Sequence, residues 1–278
     1  MEHLDSYASP SVGPFLKWAG GKRWLAARYG NLLPTDFANY LEPFLGSGAV
    51  FFHLRPKNAV LSDKNSALIN VYQQIRCNWQ AVHRALSRHQ KCHSKQYYYE
   101  ERRRRHRLAH EEAAQFLYLN RTCWNGLYRV NLRGQFNVPI GTKSSVILDT
   151  DDFAGASNLL RDVNLEVSDF EKTVDMARLN DFLFVDPPYT TRHNSNGFIK
   201  YNEELFSWAD QERLAYAVRR AAARGVKVLV TNADHDCIRE LYLGVGEHIE
   251  LDRASVLAAD PGNRGQITEI AIKANYLS

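Results

Sequence analysis

Asp186-Pro187-Pro188-Tyr189 follows an uninterrupted apolar run, Phe182 to Val185. So short a run, bounded by polar residues, predicts a strand buried on both faces, as in the middle of a parallel sheet. Parallel strands need crossover connections, usually helical, which points to an α/β architecture. In open α/β sheets ligands lie outside the carboxyl ends of the strands. A carboxylate, two prolines and an aromatic ring fall at that place here.

These four residue types suit one kind of substrate. The exocyclic amine of a nucleobase is a poor nucleophile because its lone pair is delocalised into the ring. Acceptors on its two N–H groups favour a more pyramidal nitrogen whose lone pair is aimed at an electrophile. Asp186 offers one acceptor through its carboxylate and Pro187 another through its carbonyl, while the two prolines hold φ fixed at both positions. Tyr189 offers a face on which a flipped base can stack. The plainer reading is a strand end followed by a Pro-Pro turn and a core tyrosine.

The 278 residues suffice for one large domain or for one domain with an insertion. Composition is that of a globular chain able to build a core, at 45% hydrophobic and 24% charged residues. No apolar run approaches the roughly 18 residues of a membrane span. The opening MEHLDSYASPSVGP has neither the basic nor the apolar region of a signal peptide. Cys77, Cys92, Cys123 and Cys237 lack zinc-like spacing, so reduced thiols in a cytoplasmic protein and no metal are expected. Net charge is +4, but residues 76–145 carry 14 Lys or Arg against four acids, a net of +10 that leaves −6 elsewhere. Such a basic module is the footprint of phosphate binding; for Glu100 to Arg107 a solvated helix face is the alternative.

In chain order, Lys17-Trp18-Ala19-Gly20-Gly21-Lys22 lacks the glycine and the Ser or Thr of a phosphate loop and reads as a small-residue turn opening a helix. Tyr40 to Phe52 reads as a strand, the Gly46-Ser47-Gly48 turn and a helix start. Without the third glycine of the dinucleotide fingerprint, this suits a smaller adenosine-containing cofactor. Ala59-Val60-Leu61 is a second strand ending at Ser62-Asp63, where an acid either binds ribose hydroxyls or caps the helix beginning near Asn65. Residues 76–145 break the alternation and read as helix-rich, followed by a hairpin with tight turns at Asn125-Gly126 and Arg133-Gly134. Its Arg, Asn and aromatic side chains suit insertion into DNA, or else the rings are core. Alternation resumes at Asn164 to Val167, where Asp169-Phe170 is positioned to hold an adenine ring. Thr190 to Tyr201 is polar and lid-like. Gln211 to Arg224 is periodic as a helix, Val226 to Val230 a buried strand, and Cys237 to Leu243 a short helix. His248 to Val256 and Gln266 to Ala274 form a hairpin around Ala258 to Gly265.

Taken together, the KWAGGK segment, Glu42-Pro43-Phe44-Leu45-Gly46-Ser47-Gly48, Ser62-Asp63, the long stretch from Asn120 to Gly141 and the Asp-Pro-Pro-Tyr motif resemble Dam-type DNA adenine-N6 methyltransferases over nearly the whole chain. The resemblance implies a Rossmann-like seven-stranded α/β sheet with its last strand antiparallel. It implies an S-adenosylmethionine-dependent catalytic domain of residues 1–75 and 146–278. Residues 76–145 would be an inserted, mostly helical target-recognition domain carrying a β-hairpin. Carried over by position, cofactor contacts are Trp18, Ala19, Gly20, Lys22, Glu42, Pro43, Phe44, Gly46, Gly48, Asp63, Asp169, Phe170 and Asp186. The catalytic residues are Asp186, Pro187, Pro188 and Tyr189. DNA contacts are Lys17, Arg121, Trp124, Asn125, Leu127, Arg129, Asn131, Arg133 and Pro139. Trp124 stands where relatives carry tyrosine but remains an aromatic wedge.

The activity implied is methyl transfer from S-adenosylmethionine to a flipped adenine of duplex DNA in GATC, by a cytoplasmic protein acting on DNA. A cognate restriction endonuclease is admitted as a genetic partner. The alternatives are an RNA adenine methyltransferase and a non-catalytic DNA-binding protein that keeps the fold. A glutamine methyltransferase would carry Asn at 186 and lack the basic insert.

Overall fold

The computed structural model describes residues 12–131, 133–191, 206–254 and 266–277. Most of the expected lid, from 192 to Tyr201, and the turn Ala258 to Gly265 lie outside the described residues.

Seven strands form one sheet: β1 Tyr40–Glu42, β2 Ala59–Asp63, β3 Asn164–Val167, β4 Phe182–Val185, β5 Lys227–Ala233, β6 Glu247–Ala254 and β7 Gln266–Ala274. Their order is β3-β2-β1-β4-β5-β7-β6. The register runs parallel through Leu41↔Val60, Leu41↔Leu183 and Val185↔Val230. The final strand β7 lies antiparallel between β5 and β6. This is the Rossmann-like methyltransferase sheet that the resemblance implies. Every residue of β4 is buried, as its apolar run requires of a central strand. Strand order reverses between β1 and β4, which makes the carboxyl ends of those strands the ligand-binding crevice of such a sheet.

One strand runs further than the sequence suggests. β5 continues through Thr231, Asn232 and Ala233, which pair with Ala271, Ile270 and Glu269 of β7. β2 ends at Asp63, as its sequence suggests. In β5, polar residues conceal the end of a strand that the ladder nevertheless extends.

The chain divides into two compact units. The first comprises Ala27–Leu45, Pro56–Lys64 and Glu166–Ser278 and carries the sheet, the division falling within β3. Its core joins Leu41, Leu183, Val185, Val228 and Val230 to Val174 of one helix and Leu214, Ala217, Val218 and Ala221 of another. Those helices, Phe170–Met176 and Trp208–Ala223, begin at fixed caps. Asp169 accepts from the Glu171 N–H, and Ser207 with Asp210 forms a capping box.

The second unit comprises Met1–Ala26, Gly46–Arg55 and Asn65–Leu165 and is helical, so it is wider than residues 76–145. Its longest helices are Ser66–Cys92 and Ala109–Thr122, which pack on one another. The first is broken at Asn78 (φ −151°, ψ 35°) and is capped by Asn65, whose side chain accepts from Ala67 and Leu68. The helix cap is therefore Asn65, not Asp63.

Among the described residues the expected β-hairpin of this unit is reduced to two isolated antiparallel bridges, Cys123↔Ile140 and Val130↔Phe136. Asn125 (φ 54°) and Gly126 (φ 66°) adopt left-handed conformations within a 3-10 turn, Trp124–Gly126, which interrupts any ladder at its base.

Candidate active site

Three acids stand at the carboxyl ends of neighbouring strands of the sheet unit: Glu42 ending β1, Asp63 ending β2 and Asp186 just beyond β4. Glu42 is 2% exposed and its Oε2 accepts from Tyr40 Oη at 2.8 Å. Burial first, and then the charges of Asp186 and Asp63, push its carboxyl well above the usual range against the pull of that hydrogen bond. That shift holds Glu42 toward its neutral form, so the negative charge offered to a cationic ligand at the strand reversal rests on Asp63 and Asp186.

The Asp-Pro-Pro-Tyr segment is fastened from behind. Thr231 Oγ1 donates to Asp186 Oδ1 at 2.8 Å. Gln211, wholly buried on the helix Trp208–Ala223, donates to the Pro188 carbonyl at 3.3 Å and accepts from Asn232 at 3.2 Å. Since the Pro188 carbonyl is committed there, the second acceptor expected for an amine is that of Pro187. Tyr189 Oη donates to Glu269 Oε2 at 2.6 Å, tying the ring to β7. Burial and the charges of Asp186 and Glu269 raise the Tyr189 phenol well above its ordinary pKa, so it stays neutral. Thr231, Gln211 and Glu269 escape sequence reasoning, although a carboxylate inside the apolar β7 run Ile267 to Ile272 is a visible signal. Thr231→Val is expected to lower kcat about tenfold, the worth of one hydrogen bond to a charged group, and to lower the Tm by roughly a few degrees. Steady-state methylation and thermal melting check both halves.

Asp169 and Phe170 are differently employed from the expectation. Besides capping its helix, Asp169 is held by a bidentate pair with Arg213, at 2.7 and 2.9 Å. That guanidinium keeps the Asp169 carboxyl below its ordinary range. Phe170 is 5% exposed and stacked on Phe44, with ring centroids 5.5 Å apart. Arg213 sits 4.2 Å from its ring centre. The ring is engaged by the protein, so Phe170 belongs to the hydrophobic core and does not offer an open stacking face. Arg213 is the residue that sequence reasoning missed here.

In the helical unit, the Gly20 turn (φ 78°) is closed by Gly21 N–H on the Trp18 carbonyl and by buried Lys22 Nζ on the Gly20 carbonyl at 2.9 Å. Ala19 is exposed. Gly46 combines φ 47° with close approach, for an added Cβ would lie 2.8 Å from Trp18 Cδ1. Gly48, at φ 62°, opens the helix Ala49–Leu54.

The expected DNA-contact residues fall into three groups. Lys17, Trp124, Asn125, Arg129, Arg133 and Pro139 are exposed, Trp124 at 52%, and Leu127 is half-buried. Buried Asn120 binds both the N–H and the carbonyl of Lys17, at 3.0 and 2.8 Å, and the Gly126 carbonyl at 3.2 Å. It thereby joins the Lys17 segment to the turn Trp124–Gly126. Arg129 Nε donates to Asn137 Oδ1 at 2.8 Å.

Asn131 spends its side chain on its own turn, accepting from Arg133 and Gln135 N–H groups. Arg121 is the correction. At 1% exposure it pairs with Asp151 and donates to the Phe15 and Val146 carbonyls, so it is structural and out of reach of DNA.

Among the described residues, no group of three or more His, Cys, Asp or Glu is arranged to hold a metal, and no helix is long and apolar enough to cross a membrane.

A family model described as D12 class N6 adenine-specific DNA methyltransferase matches residues 18–256. Type II methyltransferase M1.LlaDCHI of Lactococcus lactis subsp. cremoris is 38% identical over 276 residues, covering 96% of both chains. Type II methyltransferase M.MjaIII of Methanocaldococcus jannaschii is 34% identical over 84% of this chain and 89% of its own length. The DNA adenine methylase of Escherichia coli (strain K12) is 30% identical over 92% of this chain and 93% of its own.

Proposed function

The chain belongs to the D12 class of N6 adenine-specific DNA methyltransferases, enzymes that methylate adenine in DNA, and from that premise we propose that it takes S-adenosylmethionine as donor and a flipped adenine in GATC as acceptor. The observation that carries this reading is Asp186, braced by Thr231 at the strand reversal beside two further acids.

The residues fit the donor. A cationic group meets Asp63 and Asp186, beside Glu42, whose carboxyl is held toward its neutral form by burial and by those two charges. Asp63, half-buried at the end of β2, suits ribose hydroxyls. Phe44, Asp169 and Phe170 supply a wall that Arg213 locks. Trp18 and the left-handed Gly46 and Gly48 are the cofactor residues of the helical unit. When bound, S-adenosylmethionine supplies an electrophilic methyl group.

The chain's own part is orientation. Asp186 and the Pro187 carbonyl accept the two N–H hydrogens of the adenine amine, which frees its lone pair. Tyr189, its hydroxyl held by Glu269, presents a ring to the base. Residues 76–145 grip duplex DNA through their net charge of +10. Within them Trp124 wedges into the stack, while Asn125, Leu127, Arg129 and Pro139, with Lys17, read the site. The setting proposed is cytoplasmic. The type II names of two relatives support a cognate restriction endonuclease as a genetic partner.

Specificity is tested with a duplex holding one GATC, a duplex whose adenines in that site are replaced, and an RNA of the same sequence. Methylation of the first alone is expected. Methylation of the second overturns the GATC assignment, and preference for RNA overturns the choice of substrate.

A further inference from the structure

Tyr128 has no role in the account so far, yet it lies at the centre of a continuous aromatic stack within the helical unit. Its ring stacks on Phe116 at 4.6 Å and 23°, and on Trp18 at 5.9 Å and 19°. Phe136 leans on it at 5.7 Å. Each neighbour belongs to a different element. Phe116 is buried on the helix Ala109–Thr122, and Phe136 is bridged to Val130 across the recognition arm. Trp18 is the residue whose indole edge fills the space that only a glycine at 46 leaves open. Gly46 is held in turn by its carbonyl, which accepts from Tyr72 Oη at 3.0 Å. A shift of the arm therefore acts on Trp18 through one planar ring, since aromatic pairs are sensitive to offset and tilt.

We propose that Tyr128 is a positioning residue, through which the recognition arm sets Trp18 against the Gly46 turn and so couples DNA binding to cofactor binding. The inference rests on the reading above that Trp18 contacts the cofactor and that the arm contacts DNA. Because linkage is reciprocal, DNA must tighten cofactor binding by the factor by which cofactor tightens DNA binding.

The test uses the full chain and S-adenosylhomocysteine, the product form of the cofactor, so that no turnover intervenes. Its affinity is measured by calorimetry with and without a duplex carrying one GATC. For the wild type a tightening of roughly tenfold is expected on adding DNA. Tyr128→Ala reduces that factor to near one, and Tyr128→Phe, which keeps the stacked ring, retains it. Phe116→Leu removes the far side of the stack without touching the arm; it lowers the factor too and serves if Tyr128→Ala does not fold.

An unchanged factor in Tyr128→Ala, or no factor in the wild type, overturns the proposal. Trp18→Ala separates this failure from that of the underlying reading. If it leaves S-adenosylhomocysteine affinity intact, Trp18 is no cofactor contact. If it weakens affinity while Tyr128→Ala keeps the coupling, the reading stands and the inference alone falls.

Discussion

Asp186→Ala is expected to lower the methylation rate by about a thousandfold, the scale seen when one preorganised group aimed at the reacting centre is removed. Binding of the GATC duplex, measured by anisotropy, should change little on the proposal that the basic residues of 76–145 carry DNA affinity. The fold should survive, since Asp186 itself stands at a half-buried position, although buried Thr231 Oγ1 loses its acceptor. Asp186→Asn sharpens the test. Asparagine keeps one acceptor oxygen and cannot serve as a base, so an acceptor role predicts substantial residual rate where a proton-transfer role predicts as deep a loss as alanine. Equal, near-complete losses in both variants would favour proton transfer over lone-pair orientation.

The second large effect concerns stability. Asp151→Ala would leave the Arg121 guanidinium buried at 1% exposure with only the Phe15 and Val146 carbonyls to satisfy it. Breaking a buried pair from one side costs about 3–5 kcal/mol. For a chain of this size that is a fall in Tm of roughly 10 °C, measurable by calorimetry or circular dichroism. Arg121→Ala should be comparably destabilising, while replacing both partners with apolar residues of similar volume should recover much of the loss. Had Arg121 been a phosphate contact, its removal would leave the Tm alone and weaken DNA binding with a shallower salt dependence. The two measurements distinguish the roles cleanly.

The sheet was legible because its signals are local. Phe182 to Val185 is apolar throughout, Val226 to Val230 is apolar but for Lys227, and the C-terminal pair falls at β6 and β7 as its patterning suggests. The end of β5 was less so, because Thr231 and Asn232 are polar and yet belong to the strand. What the site demands in chemistry is there disguised as loop.

The recognition arm is the reverse case. Its motif residues are plain in sequence, but their geometry is not, since left-handed Asn125 and Gly126 replace a ladder with a 3-10 turn. Arg121 sits inside that same motif, and nothing local marks it as buried. Its partner Asp151 is thirty residues away, beyond the arm. Arg213 was hidden for a similar reason: it lies 44 residues from Asp169, on another helix, and only folding reveals that it pairs with the acid expected to meet adenine. The pairings that decide what a polar side chain can do are long-range, and spacing alone does not carry them.

The most direct test of the account is the fate of the label. Tritiated S-adenosylmethionine is incubated with a duplex carrying one GATC, and the DNA is digested to nucleosides and resolved by chromatography. The account predicts all label in N6-methyldeoxyadenosine, and almost none when Asp186→Ala replaces the wild type. Label in methylated cytosine, or undiminished label with the Asp186 variant, would contradict it.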